Sequence, residues 1–249
     1  MNPTVSVCRR LFCRKGYGVH SPFAFDLLTH VIEERWPYYF YRDIEAMRRQ
    51  LLQSKRTLSR QERSISVRKA LRRQGISQQE AKLLFRLANY CKPLSILTLG
   101  SSMGLIPLSL SGYASGLRCL TLESDTAFAS LAHASLPPEI QARVEIRTGD
   151  DYERLLPEAL DTLSRIDFLY LDRALDATAL EHIFQRCRAF MHHKSVCLVG
   201  GIRTSPAKYR QWRQLGQQPE ITLTVDLYTS GLFFFLSGIR RCACRSYAG

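Results

Sequence analysis

The chain of 249 residues is 45% hydrophobic and 10% aromatic, which is enough apolar material for one α/β domain with an extension. No apolar run approaches the roughly 20 residues of a membrane-spanning helix, and residues 1–16 lack the apolar block of a secretory signal. The formal net charge of +13 is concentrated in residues 1–90, which hold 18 Lys or Arg and 7 Asp or Glu. We therefore expect a cytoplasmic protein without a membrane span. Its basic front third is either a solvated surface, the commoner case, or a contact for phosphates.

The eight cysteines are scattered along the chain, which favours reduced thiols over a disulfide framework. Cys119 and Cys197 lie in apolar runs and are predicted to fill the core. Cys242 and Cys244 lie in a basic tail and have no second pair that would complete a zinc site. We expect no metal or redox function for the cysteines.

Helical patterns occupy most of residues 1–92. Ser21 as an N-cap, with Pro22 at the first helical position, predicts a helix over residues 22–35. Residues 41–74 are polar and basic, and we expect exposed helices or a partly ordered linker there. Ser77 and Glu80 form a capping-box pattern at the start of a further helix.

Beyond residue 93, short apolar runs alternate with helical segments. The first five predicted strands are separated by crossover-length stretches, whereas only residues 229–231 separate the last two. The sequence therefore predicts an α/β fold with a doubly wound, mostly parallel seven-stranded sheet that ends in an antiparallel hairpin. Phe233, Phe234 and Phe235 are expected in the core of the last strand. The seven runs are SILTLG, LRCLTLE, VEIRTG, IDFLYLD, SVCLVGG, ITLTVDLY and LFFFLSG.

The expected organisation has three parts. Residues 1–76 form a basic helical extension or lid, residues 77–238 form the Rossmann-like domain, and residues 239–249 form a basic tail. The sequence leaves the oligomeric state open.

Polar residues follow successive predicted strands, at the sheet edge where open parallel sheets bind ligands. The first strand is followed by a turn whose missing side chains let a ligand approach the backbone, formed by Gly100, Ser101, Ser102 and Gly104. The second ends in Glu123, about twenty residues beyond the turn, where a carboxylate can accept both hydroxyls of a ribose. The third leads to Asp150, in a loop suited to an adenine amine, and the fourth ends in Asp172. Together these residues predict a pocket shaped for a nucleoside.

These runs resemble, in order and spacing, the motifs of class I S-adenosylmethionine-dependent methyltransferases, over residues 77–236. GYGVHSPFAFDLL with ISQQEAKLLFRLANYCKP is similar to the N-terminal part of a bacterial branch related to small-molecule O-methyltransferases. The resemblance implies S-adenosylmethionine as cofactor, with its methionine part at residues 100–104 and its ribose at Glu123. It also implies that Asp150 contacts the adenine and that Asp172 borders the methyl-transfer mouth as the expected catalytic residue.

Three departures from the family pattern bear on catalysis. Thr98 stands where the first motif usually has an acid, and it can hydrogen-bond the methionine amine without neutralising it. The fourth strand leads into Asp172-Arg173-Ala174-Leu175 rather than D-G-N-H. The fifth ends Gly200-Gly201-Ile202-Arg203-Thr204-Ser205 rather than D-D-I-H-W-S. A divalent ion prefers several oxygen ligands, so we predict no catalytic metal, and Asp172 or a nearby tyrosine is left as the general base.

Arg173 and Arg203 are either solvated loop residues, a clamp for an anionic acceptor, or remnants of lost catalysis. His20 lies in a glycine-flanked motif that could fold over the pocket and contact the substrate. The favoured function is a metal-independent methyltransferase acting on a small acceptor, for which an anion is one option. The alternatives are a catalytically degenerate protein that binds S-adenosylmethionine or another nucleoside, and a methyltransferase that grips RNA through its basic front third. Nucleic acid is not the favoured partner.

Overall fold

The computed structural model describes residues 21–60, 63–238 and 241–246, and its strands belong to two sheets. A small antiparallel hairpin pairs β1 (Thr57–Arg60) with β2 (Arg63–Ser66). The strands of the large sheet are β3 (Ser95–Leu99), β4 (Arg118–Glu123), β5 (Val144–Thr148), β6 (Ile166–Leu171), β7 (Met191–Gly200), β8 (Leu223–Asp226), β9 (Ser230–Phe234) and β10 (Cys242–Arg245).

The order of the large sheet is β10-β8-β9-β7-β6-β3-β4-β5. Strands β3 to β7 are mutually parallel, and β9 runs antiparallel to both β7 and β8. Because the chain leaves β3 first towards β4 and β5 and later towards β6 and β7, the topological switch lies between β3 and β6. A crevice at the carboxyl ends of these two strands is where such sheets bind ligands.

All seven predicted strands are present, and the predicted doubly wound sheet with a final hairpin is confirmed. An eighth strand, β10, was not predicted. It pairs in parallel with β8 at the sheet edge, so residues 242–245 of the expected basic tail extend the sheet. The signal was weak because CACR has only four residues and no apolar run.

Helices cover both faces of the sheet, and each face has its own apolar cluster. One face packs the residues before β3 together with the two helices that follow β3 and β4. The other packs the helices that follow β5, β6 and β7. The helices are Pro22–Leu27, Tyr41–Gln53, Val67–Gln74, Gln78–Cys91, Leu105–Ser111, Thr126–Ser135, Pro138–Gln141, Tyr152–Leu163, Ala177–Arg188 and Pro206–Leu215.

The first helix begins as predicted, with the Ser21 hydroxyl accepting from the amide of Ala24. Its α-helical part ends at Leu27, and Leu28–Ile32 follow as a π-helical turn, so the helical segment is shorter than the predicted residues 22–35. The side chain of Arg86 stabilises the end of the π-helical turn. Its guanidinium is buried and donates to the carbonyls of Val31 and Ile32, which the helix end leaves without partners.

Residues 41–74 are more ordered than the sequence indicated. They form a helix, the β1–β2 hairpin and a second helix, and each helix buries one apolar side against the core, including Met47, Leu51 and Leu71. The predicted capping box is confirmed, since the Ser77 hydroxyl accepts from the Glu80 amide and the Glu80 carboxylate accepts from the Ser77 amide. Among the described residues, no helix is both long and apolar enough to cross a membrane.

The predicted core residues are confirmed. Phe233, Phe234 and Phe235 are at most 5% exposed, and Cys119 and Cys197 are fully buried. Burial raises the pKa of the Cys119 thiol to about 11, so it stays protonated at neutral pH.

Candidate functional site

The turn after β3 has a strained backbone. Gly100 and Gly104 have φ angles of +93° and +94°, and between them Ser102 and Met103 also have positive φ angles of 49° and 57°. Non-glycine residues in this region typically cost about 1–3 kcal/mol each and persist where surrounding structure holds them. Such strain is common at ligand-binding loops, which agrees with the predicted role of this turn.

Glu123, at the end of β4, is the residue that holds the turn. Its Oε2 atom accepts from the amide of Ser101 at 2.8 Å and from the hydroxyl of Ser101 at 2.6 Å. Its Oε1 atom accepts from the amide of Asp125 at 3.2 Å. Glu123 is 4% exposed, and burial raises its pKa. A carboxylate offers about four acceptor positions, and these three hydrogen bonds leave one position on Oε1.

Asp172, after β6, lies directly against the turn. A Cβ atom placed on Gly100 would come within 1.9 Å of the Asp172 Oδ2 atom, so only glycine allows this approach. The pKa of Asp172 is raised from 3.8 to about 6, mainly by burial and in smaller part by the nearby charge of Glu123. The hydrogen bond from the Ala174 amide to Oδ1 and the cations of Lys208 and Arg173 oppose the shift. Asp172 therefore changes its charge close to physiological pH.

Lys208 supports the Asp172 loop, and the sequence analysis missed it. Its side chain is fully buried, and its Nζ atom donates to the carbonyls of Asp172 at 3.1 Å and Arg173 at 3.0 Å. Burial lowers its pKa to about 8. A signal was present in the sequence, because Lys208 shares a helical stripe with the buried Trp212 and Leu215, at i+4 and i+7. A lysine in an otherwise apolar stripe needs a buried partner.

We expect Lys208→Met to destabilise the protein by about 1–3 kcal/mol, because the carbonyl of Arg173 would lose a charged donor. Loss of this cation should also raise the pKa of Asp172 further, since Lys208 now lowers it. Chemical denaturation at neutral pH measures the first effect. Lys194→Met, which changes an exposed lysine, is the matched control. Equal stability of the two variants would show that Lys208 does not support the loop.

Two tyrosines near Asp172 are poor candidates for the general base. Tyr152 has its pKa raised by burial and by the charges of Asp172 and Glu123. Tyr170 is buried, and burial raises its pKa well above 10. Both side chains stay protonated at neutral pH, so among the bases considered Asp172 is the one with a suitable pKa.

Gly200, at the end of β7, and Gly201, which follows it, stand where the resemblance has two acids, and little space is left there for side chains. A Cβ atom on Gly200 would come within 2.9 Å of the Tyr170 hydroxyl and 3.2 Å of the Arg173 amide. Gly201 has a φ of +61°, and a Cβ there would come within 2.7 Å of the Arg173 Cβ. The loop after β6 thus occupies the space that acidic side chains would need. Within the described ranges, no group of three His, Cys, Asp or Glu side chains is arranged to hold a metal ion.

The two candidate arginines have different surroundings. Both terminal nitrogens of Arg203 donate to the carboxylate of Asp226, at 2.7 and 2.5 Å, and its guanidinium lies over the Tyr209 ring at 4.2 Å. This fork is already filled, so an anionic acceptor would have to displace Asp226. Arg173 donates one nitrogen to the carbonyl of Gly75 at 3.1 Å and is half-buried. The predicted anion contact therefore depends on Arg173.

The residues before β3 cover the turn. The Ile76 amide donates to the Ser102 hydroxyl at 2.9 Å, and the Arg48 guanidinium donates to the Ile76 carbonyl at 2.7 Å. The Met47 side chain lies against Gly104, where a Cβ would approach its methyl group to 2.5 Å. The Gly75–Ile76 segment therefore links the extension to both the turn and Arg173.

Three further predicted residues stand apart from this centre. Thr98 is fully buried, and its hydroxyl donates to the Thr121 hydroxyl on the neighbouring strand β4 at 3.0 Å. This hydroxyl is therefore already used in a hydrogen bond between two strands. Asp150 is exposed, just before the helix Tyr152–Leu163. His20 lies outside the described residues. The structure therefore brings together the turn, Glu123 and Asp172.

The fold is similar to that of several solved methyltransferases. The chain is similar to an SAH-bound methyltransferase from Podospora anserina, with a TM-score of 0.58 and 14% identity, over 94% of this chain and 97% of that one. It is similar to the O-methyltransferase TomG from Streptomyces achromogenes, involved in tomaymycin synthesis and solved with SAM, with a TM-score of 0.55 and 17% identity. That match covers 86% of this chain and 95% of the other.

A third similar structure is the O-methyltransferase from Bacillus cereus in complex with SAH, with a TM-score of 0.52 and 15% identity over 85% of this chain and 97% of that one. No family model and no curated protein matches the sequence. At these identities the structural likeness establishes the fold, and the activity has to be argued from the site.

Proposed function

We propose that this protein is an S-adenosylmethionine (SAM)-dependent methyltransferase that works without a metal ion. The observation that carries the proposal is that three strand ends meet at one turn. Glu123 accepts from the Ser101 amide in the Gly100–Gly104 turn, and Asp172 lies against Gly100 of the same turn. The similar proteins solved with SAM or its demethylated product S-adenosylhomocysteine (SAH) support it. We place the chain in the cytoplasm under the same proposal.

The residues fit the proposed cofactor. Gly100 and Gly104 leave the turn without side chains, as close approach of the methionine part requires. The open acceptor position of Glu123 suits a ribose hydroxyl, and the exposed Asp150 suits the adenine amine. SAM would supply an electrophilic methyl group on a positively charged sulfur. Asp172 supplies a carboxylate beside the turn, which favours that charge once it is ionised.

Asp172 is also the proposed general base. With a pKa of about 6 it is mostly ionised at neutral pH, yet basic enough to accept a proton from an acceptor hydroxyl. Lys208 and the Ala174 amide fix its loop, so the carboxylate is oriented before the acceptor arrives. Arg173 is the proposed contact for an anionic acceptor. His20 stays a candidate for a further substrate contact.

The proposal predicts a pH-dependent preference for SAM over SAH. Below about pH 6 Asp172 is protonated and neutral, whereas above it the carboxylate attracts the sulfonium that only SAM carries. We expect the affinity ratio of SAM to SAH to rise by about threefold to tenfold between about pH 5 and pH 7.5. Isothermal titration calorimetry measures both affinities, and Asp172→Asn should abolish the rise.

The matched control is Asp161→Asn, which neutralises an exposed acid in a neighbouring helix and should leave the pH dependence unchanged. A ratio that is flat with pH in the wild-type protein would remove Asp172 from the methyl-transfer mouth. Failure to bind both compounds would refute the methyltransferase proposal.

A degenerate binding protein is the second candidate. It is favoured by Thr98, which bonds to Thr121 rather than facing the turn, and by Arg203, which is held by Asp226. Such a protein would bind SAM and SAH but form no SAH when incubated with SAM and a mixture of hydroxyl acceptors. SAH release under these conditions, lost in Asp172→Asn, would support the enzyme instead.

A further inference from the structure

A ridge of four exposed cations lies on the helix Val67–Gln74. These residues, Arg68, Lys69, Arg72 and Arg73, are all exposed, and we call them the basic ridge. None of them has an acidic partner in the part of the chain that the structure describes. By contrast, Arg203 is paired with Asp226, and Arg86 donates to a backbone carbonyl. The basic ridge therefore presents its charge to solvent.

The helix holds these cations in a fixed arrangement. Val67, Ala70 and Leu71 are buried on its inner side, and the Ser66 hydroxyl caps its start by accepting from the amide of Lys69. The four cations sit at positions i, i+1, i+4 and i+5, which makes two pairs separated by a rise of about 6 Å along the helix. A fixed row of paired cations at this repeat suits a chain of regularly spaced phosphates.

The ridge continues onto neighbouring surface. Lys55 and Arg56, just before β1, are exposed, as are Arg42 and Arg49 on the helix Tyr41–Gln53. The helix Val67–Gln74 contacts the helix Tyr41–Gln53, so these cations lie on neighbouring elements of the extension. Between Met47 and Gln74 the sequence contains a single acid, Glu62. A cationic surface of this extent exceeds what one small anion needs.

The ridge ends at the candidate site. Arg73 is two residues before Gly75, so their Cα atoms lie within about 7.6 Å of each other. The Gly75 carbonyl accepts from Arg173, and the next amide, that of Ile76, donates to Ser102 in the turn. The helix that carries the ridge therefore leads directly into the segment that contacts the turn and Arg173.

The surface chemistry favours nucleic acid over a lipid membrane. Peripheral membrane helices usually combine basic residues with apolar side chains that enter the bilayer. The large exposed hydrophobic side chains of the described residues all lie outside residues 41–74, at Phe25, Trp36, Tyr39, Tyr90 and Leu94. The ridge offers charge without apolar anchors.

We propose that the basic ridge docks the phosphate backbone of RNA and presents a nucleotide of that RNA to the Asp172 site as the methyl acceptor. The docking step stands on the charge and position of the ridge, and the acceptor assignment rests on the proposed methyltransferase function. RNA is then the acceptor in place of the small compound that the sequence favoured.

The test measures binding of the full chain to a fluorescein-labelled, single-stranded RNA of mixed sequence by fluorescence anisotropy. The triple variant Arg68→Gln, Arg72→Gln, Arg73→Gln should bind about tenfold or more weakly at about 50 mM salt. Its slope of log affinity against log salt should be smaller by about 2, as expected for the loss of three phosphate contacts on a single strand.

The matched control is Lys92→Gln, Lys194→Gln, Arg213→Gln, which removes the same charge from exposed positions outside residues 41–74. Equal weakening in both triple variants would show that RNA responds only to net charge and would overturn the proposal. The same result follows if the wild-type chain does not bind RNA at low salt, or binds only anionic vesicles. Circular dichroism would check the helix, since Arg72 and Arg73 also stabilise its C-terminal turn.

Two further measurements separate this proposal from the methyltransferase proposal. Calorimetry with SAM should give the same affinity for the wild-type chain and both triple variants, because none of the changed residues contacts the turn. RNA binding without SAM binding would refute the enzyme and leave the docking surface. Transfer of radioactive methyl groups from SAM to RNA, lost in the ridge variant and kept in the control, would support both. Transfer only to small compounds would overturn the RNA acceptor.

Discussion

Replacement of Glu123 by alanine should weaken SAM binding by about a hundredfold or more, since charge-assisted hydrogen bonds contribute about 1.5–3 kcal/mol each. In the structure this carboxylate accepts from the Ser101 amide, and in the proposed complex its remaining acceptor position on Oε1 binds the ribose. The alanine variant would lose both contacts. Calorimetric titration with SAM measures the effect.

A second variant separates binding from support of the turn. Glu123→Gln retains an oxygen that can accept from the Ser101 amide but removes the charge and one acceptor atom. We expect it to unfold within a few degrees of the wild type while binding SAM at least tenfold more weakly. Glu181→Ala, an exposed glutamate, is the control. Unchanged affinity in both Glu123 variants would show that the ribose lies elsewhere.

Gly100→Ala should disable the site by a steric route. The new Cβ would lie 1.9 Å from the Asp172 Oδ2 atom, at a φ of +93° that L-residues rarely adopt. Either the turn or the Asp172 loop must move, at a cost of about 1–3 kcal/mol for the backbone alone. We expect a lower melting temperature and loss of measurable SAM binding. Gly116→Ala is the control, because a Cβ there meets nothing within 4 Å.

The outcome for Gly100→Ala also tests the placement of Asp172. If that variant binds SAM normally and retains its melting temperature, Asp172 is mobile enough to move aside. The carboxylate would then not be fixed for proton transfer. The double variant Gly100→Ala, Asp172→Ala removes the two closest contacts, with Oδ2 and Cγ of Asp172, and keeps a tight 3.0 Å contact with the Cβ of residue 172. Partial recovery of its stability relative to Gly100→Ala would confirm that the carboxylate contact contributes to the loss.

The parts of the fold that depend on local patterns could be predicted from the sequence. Seven strands followed from short apolar runs, and the Ser77–Glu80 capping box followed from a spacing of three residues. β10 was missed because its pairing with β8 is non-local and its four residues carry no apolar pattern. The buried side of the helix Tyr41–Gln53 was hidden by the charges on its other side.

The site was predictable in its position but not in its contacts. Strand ends at the topological switch indicated residues 100–104, Glu123 and Asp172, and the structure brings these together. Which side chains already have partners depends on residues distant in sequence. Arg203 pairs with Asp226, which lies 23 positions away in the sequence, and Lys208 donates to the carbonyl of Asp172, which lies 36 positions away. Neither pairing leaves a short-range pattern.

The hydrogen bond between the Ile76 amide and the Ser102 hydroxyl links the turn after β3 directly to the segment that follows the helix Val67–Gln74. A displacement of the turn would therefore lengthen this hydrogen bond unless the segment moved with it. Occupancy of the cleft should accordingly change the rate at which the Ile76 amide proton exchanges with solvent, and this one proton reports on both.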